Sequence, residues 1–219
     1  EFVDQRPEIE RRIADAPGET VLDVASGTGD IPYRLLRRLA GAERQPPRIL
    51  VSDLCPEMLA LARQKLARPE AASAGGEVEF SLHDAHDLAA VPSQSVDLYS
   101  ISFAMKICDR RRVVAEAFRV LKPGGLFLCL EAGHIPVGWV QAAYLAYMEW
   151  CIPAMGRLAT RDPSSYGYLL RGIRDFPAQD DFVRELEVQG FREVRYENLT
   201  FGIVALHRAV KPADAPSSA

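Results

Sequence analysis

The four cysteines, Cys55, Cys108, Cys129 and Cys151, include no CxxC pair and have no histidine at metal-ligand spacing. Their scatter excludes a zinc ribbon and a disulfide scaffold and favours a reducing compartment. Positive charge is not in excess either: 26 Lys and Arg stand against 30 Asp and Glu, a formal net charge of −4. A broad phosphate-binding surface needs clustered cations, so nucleic acid is not an expected partner. The chain has no internal repeat and no signal-like segment ahead of its first motif. It starts at Glu1, which gives the expectation of a trimmed N-terminus.

Of the 219 residues, 48% are hydrophobic and 26% charged, at a mean hydropathy of −0.07. This is the balance of a globular chain with one sizeable core. One run departs from it: residues 135–155 carry a single ionisable charge, Glu149, over about the length of a membrane span. Pro136 and Pro153 near its ends, with Gln141 and Glu149 inside, argue against spanning.

Up to residue 132, short apolar runs alternate with helical stretches, the rhythm of a parallel sheet covered on both faces. Strands are predicted at 20–24, 49–53, 78–82, 96–102 and 126–131, and helices at 30–39, 56–66 and 111–121. The last helix is stopped by Lys122-Pro123-Gly124-Gly125. A helix at 179–189, ended by Gly190, precedes two closing strands at 193–198 and 203–209, joined as a hairpin. The predicted fold is α/β: a doubly wound, mostly parallel seven-stranded sheet with a C-terminal antiparallel hairpin. One domain spans 1–211, with a substrate-covering insertion at about 134–177 and a disordered tail at 212–219.

The first strand runs into Asp23-Val24-Ala25-Ser26-Gly27-Thr28-Gly29-Asp30, a strand, a glycine-rich turn and a helix start. Glycines there let the backbone bend and approach a ligand at the C-terminal sheet edge. Pro32 stands where a dinucleotide fingerprint has its third glycine, and no Gly-Lys-Ser/Thr follows, so neither pyrophosphate nor triphosphate is served. Asp53, ending the second strand, is placed for ribose hydroxyls, and Asp84-Ala85 after the third strand for an adenine. A nucleoside without phosphate, such as S-adenosylmethionine, suits these parts.

The stretches VLDVASGTGD, VSDLCPEML, the aspartate at 84 and VLKPGG resemble class I S-adenosylmethionine-dependent methyltransferases of Rossmann-like fold. Further matches, ending in Asn198-Leu199-Thr200 and Gly202-Ile203-Val204-Ala205-Leu206-His207-Arg208, are similar to the ubiquinone/menaquinone biosynthesis C-methyltransferase family. The resemblance implies cofactor contacts from Asp23, Gly27, Thr28, Gly29, Asp53, Leu54, Asp84, Ala85 and Ser102, with S-adenosylhomocysteine as product and no metal. It implies a polyprenylated benzoquinol or naphthoquinol as acceptor, methylated at a ring carbon. It further implies peripheral contact with the inner face of a bacterial membrane, or with the mitochondrial inner membrane from the matrix, and a homodimer as the assembly to test.

Where the family follows Ser-Phe with Gly-x-Arg-Asn, this chain reads Ser102-Phe103-Ala104-Met105-Lys106-Ile107. Lys106 stands in for the arginine and the asparagine has no counterpart. Lys106, Tyr166 and Arg174 are the expected acceptor-side catalytic residues. His207 is read as a buried hydrogen-bonding group ahead of a general base. Two alternatives keep the fold but change the function: transfer to another small aromatic or lipid acceptor, or a cofactor-binding but inactive subunit of a quinone-synthesis assembly. In either membrane setting, the aromatic residues of the apolar run are read as a tunnel wall or interfacial surface.

Overall fold

The computed structural model describes residues 20–40, 46–159 and 171–213, the side chains of 152–159 excepted. In chain order the elements are β1 (Thr20–Val24), α1 (Asp30–Leu39), β2 (Arg48–Asp53), α2 (Pro56–Leu66), α3 (Pro69–Ala72), β3 (Val78–Leu82) and β4 (Val96–Ser102). Then follow α4 (Arg110–Val120), β5 (Leu121–Ala132), α5 (Gly138–Ala159), α6 (Gln179–Gln189), β6 (Arg192–Leu199) and β7 (Val204–Val210).

The sheet order is β3-β2-β1-β4-β5-β7-β6, with β7 antiparallel to both neighbours and the other pairs parallel. Alternation along the central strands feeds a core on each face. In β4 and β5, Tyr99, Ile101, Phe127 and Cys129 join one core with Phe182, Leu186 and Phe191, whereas Leu98, Leu126 and Leu128 join the other with Leu35, Ile49 and Leu66. Strand order reverses between β1 and β4, where the C-terminal strand ends leave a crevice.

Local chemistry sets the helix ends. Pro56 opens α2 at a position whose N–H would have no partner, and the Asp109 carboxylate accepts the N–H groups of Arg111 and Arg112 at the start of α4. Gly190, at φ 111°, ends α6 in a conformation that suits glycine.

Beyond one-residue shifts at the ends of β2, α4 and β6, three elements differ from expectation. β5 starts at Leu121 because Leu121 pairs with Val96 and the Pro-Gly-Gly run is absorbed as an irregularity between Val96 and Leu98. The short helix α3 has no strong periodicity to announce it. Ile203 belongs to a 3₁₀ turn end, so β7 is shifted one residue toward the C-terminus. Lys211 is fully buried, its ammonium donating to the carbonyls of Phe118 and Leu121 at 2.7 and 2.8 Å, and this fastens the chain just before the expected tail. Residues 214–219 of that tail lie outside the described residues.

His207 is buried as expected, edge-on to Phe182 with ring centroids 4.9 Å apart, but neither ring nitrogen has a hydrogen-bond partner among the described residues. Burial lowers its pKa to about 4. Among the described residues, no helix is long and apolar enough to cross a membrane.

Candidate active site

The turn after β1 uses its two glycines differently. Gly27, at φ +54°, faces open space, since a Cβ there would meet nothing within 4 Å. Gly29, at φ +73°, sits where a Cβ would fall 2.8 Å from Leu66 and 3.0 Å from Ala62. The first glycine opens the backbone to a ligand and the second lets the turn pack on α2. Asp53, at the end of β2, holds this turn: its Oδ2 accepts the Gly27 N–H at 2.7 Å and its Oδ1 the Cys55 N–H at 2.9 Å. Beside it, the Lys65 ammonium lies 2.8 Å from Thr28 Oγ1 and 3.0 Å from Asp30 Oδ1. Partial burial opposes ionisation of Asp30, but the Lys65 ammonium and the Thr28 hydroxyl hold its carboxyl below the usual range.

Under the turn lies Asp23, 2% exposed. Its oxygens accept from the hydroxyls of Ser100 at 2.5 Å and Ser26 at 2.7 Å. Burial, opposed by these two hydrogen bonds and aided by the nearby Asp53 charge, raises its pKa to about 6. A cavity of about 510 Å³ opens above it, and Asp23, Gly27, Thr28 and Ser102 are among its walls. Two non-glycine residues with positive φ line it as well, Ala25 at 51° and Phe103 at 56°, at the ends of β1 and β4.

Asp53, Leu54, Asp84 and Ala85 lie outside this cavity lining, Asp53 at the end of β2 and the other three on the segments that follow β2 and β3. Leu54 is 68% exposed, whereas Ala85 is buried. Asp84 Oδ1 accepts both the backbone N–H of His86 at 2.9 Å and its ring Nδ1 at 2.6 Å. The other ring nitrogen, Nε2, accepts the Asp109 N–H at 2.9 Å, so the network assigns the ring hydrogen to Nδ1. These two donations from His86, backbone first, hold the Asp84 carboxyl below its usual range. His86 thereby ties the loop after β3 to the cap of α4, a role that its polar sequence surroundings do not announce.

The acceptor-side residues are not gathered at the cavity. The Lys106 side chain is 5% exposed and its ammonium is 2.9 Å from Glu131 Oε1, a fully buried carboxylate that sequence reasoning missed. Arg174 forms an ion pair with Glu149 of α5, both half-exposed. Tyr166 lies outside the described residues. Arg34 on α1, also missed, lines the cavity and makes no ion pair or hydrogen bond among the described residues. Its spacing of four from Asp30 puts it on the face of the helix that opens at the glycine turn, which is the signal a sequence carries for it. Among the described residues, no three His, Cys, Asp or Glu side chains gather as a metal site.

Residues 4–211 match the model of the ubiE/COQ5 methyltransferase family. The ubiquinone/menaquinone biosynthesis C-methyltransferase UbiE of Cereibacter sphaeroides is 40% identical over 200 residues, 91% of this chain and 76% of that protein. The mitochondrial 2-methoxy-6-polyprenyl-1,4-benzoquinol methylase of Drosophila melanogaster is 37% identical over 207 residues, 91% of this chain and 68% of that one. Among solved structures, a SAM-dependent methyltransferase from Methanosarcina mazei aligns with a TM-score of 0.66 at 22% identity, over 95% of this chain and 99% of that one. One from Aquifex aeolicus gives 0.60 at 17%, over 93% and 88%. At these identities the structures report the shared fold.

Proposed function

The chain belongs to the ubiE/COQ5 methyltransferase family and is an S-adenosylmethionine-dependent methyltransferase, and we propose that it methylates a ring carbon of a polyprenylated benzoquinol or naphthoquinol in ubiquinone or menaquinone synthesis. The observation that carries this reading is the cavity at the switch point, with open backbone at Gly27 above the buried acid Asp23. These residues fit the cofactor: Asp23 offers an anion to its cationic amino-acid end, and Gly27 and Thr28 leave room beside it. Asp53 would hold the ribose, Asp84 and Ala85 the adenine end, with exposed Leu54 beside Asp53 and Ser102 on the cavity wall. When bound, S-adenosylmethionine supplies an electrophilic methyl group on a sulfonium.

The remaining chemistry falls to the chain. A quinol ring carbon becomes nucleophilic when a neighbouring hydroxyl loses its proton, so the site must hold the ring and the resulting oxyanion. Arg34, a cavity cation without a partner among the described residues, is suited to holding that anion. Tyr166 and Arg174 are kept as acceptor-side residues of this proposal. Expression of the chain in a strain blocked at quinone ring methylation should restore the methylated quinone, read by mass spectrometry of the quinone pool. A pool that stays unmethylated beside a stably expressed protein would instead favour the inactive subunit or a different acceptor.

We also propose contact with a lipid surface, from which a polyprenylated acceptor would be drawn. Along α5, Trp139, Ala142, Ala143, Ala146, Tyr147 and Trp150 recur at spacings of three and four and are all exposed, forming an uncharged stripe. Phe201, 91% exposed, precedes Gly202, whose backbone packs on Pro136 and His134 where α5 begins. Exposed Trp and Tyr on an apolar helix face suit the water–lipid boundary. Replacing Trp139 and Trp150 together with Asp should lower liposome association at least about tenfold, since each charge opposes burial in the interface. Cofactor affinity should be unaltered; undiminished association would return the stripe to an ordinary surface.

A further inference from the structure

Glu131, next to last in β5, is a buried carboxylate bonded to its strand neighbour Ala132 and twice to Lys106 in the turn after β4. Its Oε1 accepts the Ala132 N–H at 2.7 Å and lies 2.9 Å from Lys106 Nζ, while its Oε2 accepts the Lys106 N–H at 3.1 Å. The Lys106 ammonium also donates to the Phe103 carbonyl and lies 5.3 Å from the centre of the Phe103 ring. Phe103 is thus held from both sides, for its own N–H donates to the Leu130 carbonyl at 2.8 Å. Such anchoring is what a phenylalanine at φ +56° requires, because the left-handed region is unfavourable for a side chain of that size. Phe103 is 49% exposed and lines the cavity. On its far side, Lys106 supports the chain returning from α5, since a Cβ at Gly172 would lie 3.3 Å from both Lys106 Cγ and the Lys106 carbonyl oxygen.

We infer that Glu131 is a positioning residue: with Lys106 it forms a buried latch that fixes the Phe103 turn as the wall against which the methyl acceptor is oriented, and that seats the chain at Gly172 beside it. This rests on the quinol-methylation reading for its substrate, but the latch itself is a statement about residues 103–107 and 131. Lys106 acts here through Phe103, as a cation held by Glu131. An apolar pair of similar volume can replace a buried ion pair without loss of stability, whereas removing one partner leaves a buried charge uncompensated. The informative variants are therefore Glu131→Gln, Glu131→Asp and the double variant Lys106→Met with Glu131→Leu.

In methyl-transfer assays with a quinol acceptor, the double variant is expected to stay folded, with a Tm lowered only by the loss of the carboxylate acceptor for the Lys106 and Ala132 N–H groups, and to bind S-adenosylmethionine within twofold of wild type. Its kcat/KM for the acceptor should fall at least tenfold. Glu131→Gln should lose as much, and Glu131→Asp, which retains the charge, should recover part of it. Hydrogen exchange reads the latch without any acceptor: the N–H groups of Phe103 and Lys106 should exchange at least tenfold faster in the double variant, with those of β1 unchanged. Wild-type exchange at Phe103, or a folded double variant with wild-type acceptor kinetics, would overturn the latch. Faster exchange in a protein whose wild type methylates no quinol would leave the latch standing and remove the substrate reading.

Discussion

Replacing Asp53 with alanine is expected to weaken S-adenosylmethionine binding by about two orders of magnitude, the loss that follows from removing two hydrogen bonds to a charged acceptor at about 1.5 kcal/mol or more each. Both carboxylate oxygens are already at work in the free protein, on the N–H groups of Gly27 and Cys55. The carboxylate joins the glycine turn to the loop after β2, so alanine loosens both walls of the nucleoside site and removes the proposed ribose acceptor together. The Asp53→Asn variant should be intermediate. Its amide oxygen can accept one of the two N–H groups, but its amide nitrogen would face the other as a second donor. Titration calorimetry on wild type, Asp53→Asn and Asp53→Ala measures the series, and an alanine variant within threefold of wild type would remove Asp53 from the cofactor site.

The second large effect is expected at Asp23, where stability and binding should move in opposite directions. A carboxyl whose pKa rises from 3.8 unfolded to about 6 folded opposes folding by about 3 kcal/mol at pH 8. The sign follows from proton binding. Below pH 3.8 both states are protonated and there is no penalty; it grows as the unfolded state ionises and is complete once pH has passed about 6. Asparagine removes the charge at little cost in hydrogen bonds. The Ser26 hydroxyl, within 2.7 Å of both the Asp23 carbonyl and carboxylate, can donate to the carbonyl and accept from the new amide. Asp23→Asn should therefore be more stable than wild type at pH 8 by about 1–3 kcal/mol, with the gain vanishing by about pH 4. Its affinity for the cationic cofactor should fall at least about tenfold, the order of one charge-assisted contact. In the wild type, affinity should drop by up to about tenfold per pH unit below 6, as Asp23 takes up its proton. Denaturant unfolding and calorimetry at pH 4, 6 and 8 measure both effects. A variant less stable than wild type at pH 8 would show that Asp23 is structural.

His207 bears on the same pH range with the opposite sign. Its pKa is lowered from 6.5 to about 4, so its contribution to stability is lost as pH falls below 6.5. The two buried groups therefore partly compensate in the wild type, and Asp23→Asn should expose the acid sensitivity that His207 confers.

Legibility in the sequence followed the range of the interactions. β1, α1, α2, β3, β4 and α6 lie where local patterning places them, helped by the glycine turn between β1 and α1, Pro56 at the start of α2 and Gly190 at the end of α6. The resemblance likewise picked out Asp23, Gly27, Thr28 and Ser102, which line one cavity. Contacts made across the sheet were not legible. Nothing near Lys106 announces that a carboxylate 25 residues away will hold its ammonium, and nothing near His86 announces Asp109. The Pro-Gly-Gly run after α4 reads as a stop, yet pairing of Leu121 with Val96 carries β5 through it. The separate tasks of Gly27 and Gly29 depend on what lies opposite each one, which only the packed α2 reveals.

The central claim is that this site moves a methyl group from S-adenosylmethionine to a quinol ring carbon. Its most direct measurement incubates the purified protein with methyl-labelled S-adenosylmethionine and a reduced, polyprenylated quinol lacking the ring methyl, and locates the label by mass spectrometry and NMR. The account predicts one label per ring, on carbon, lost with Asp53→Ala. Label on a quinol oxygen, or none transferred by a protein that binds the cofactor, would contradict it.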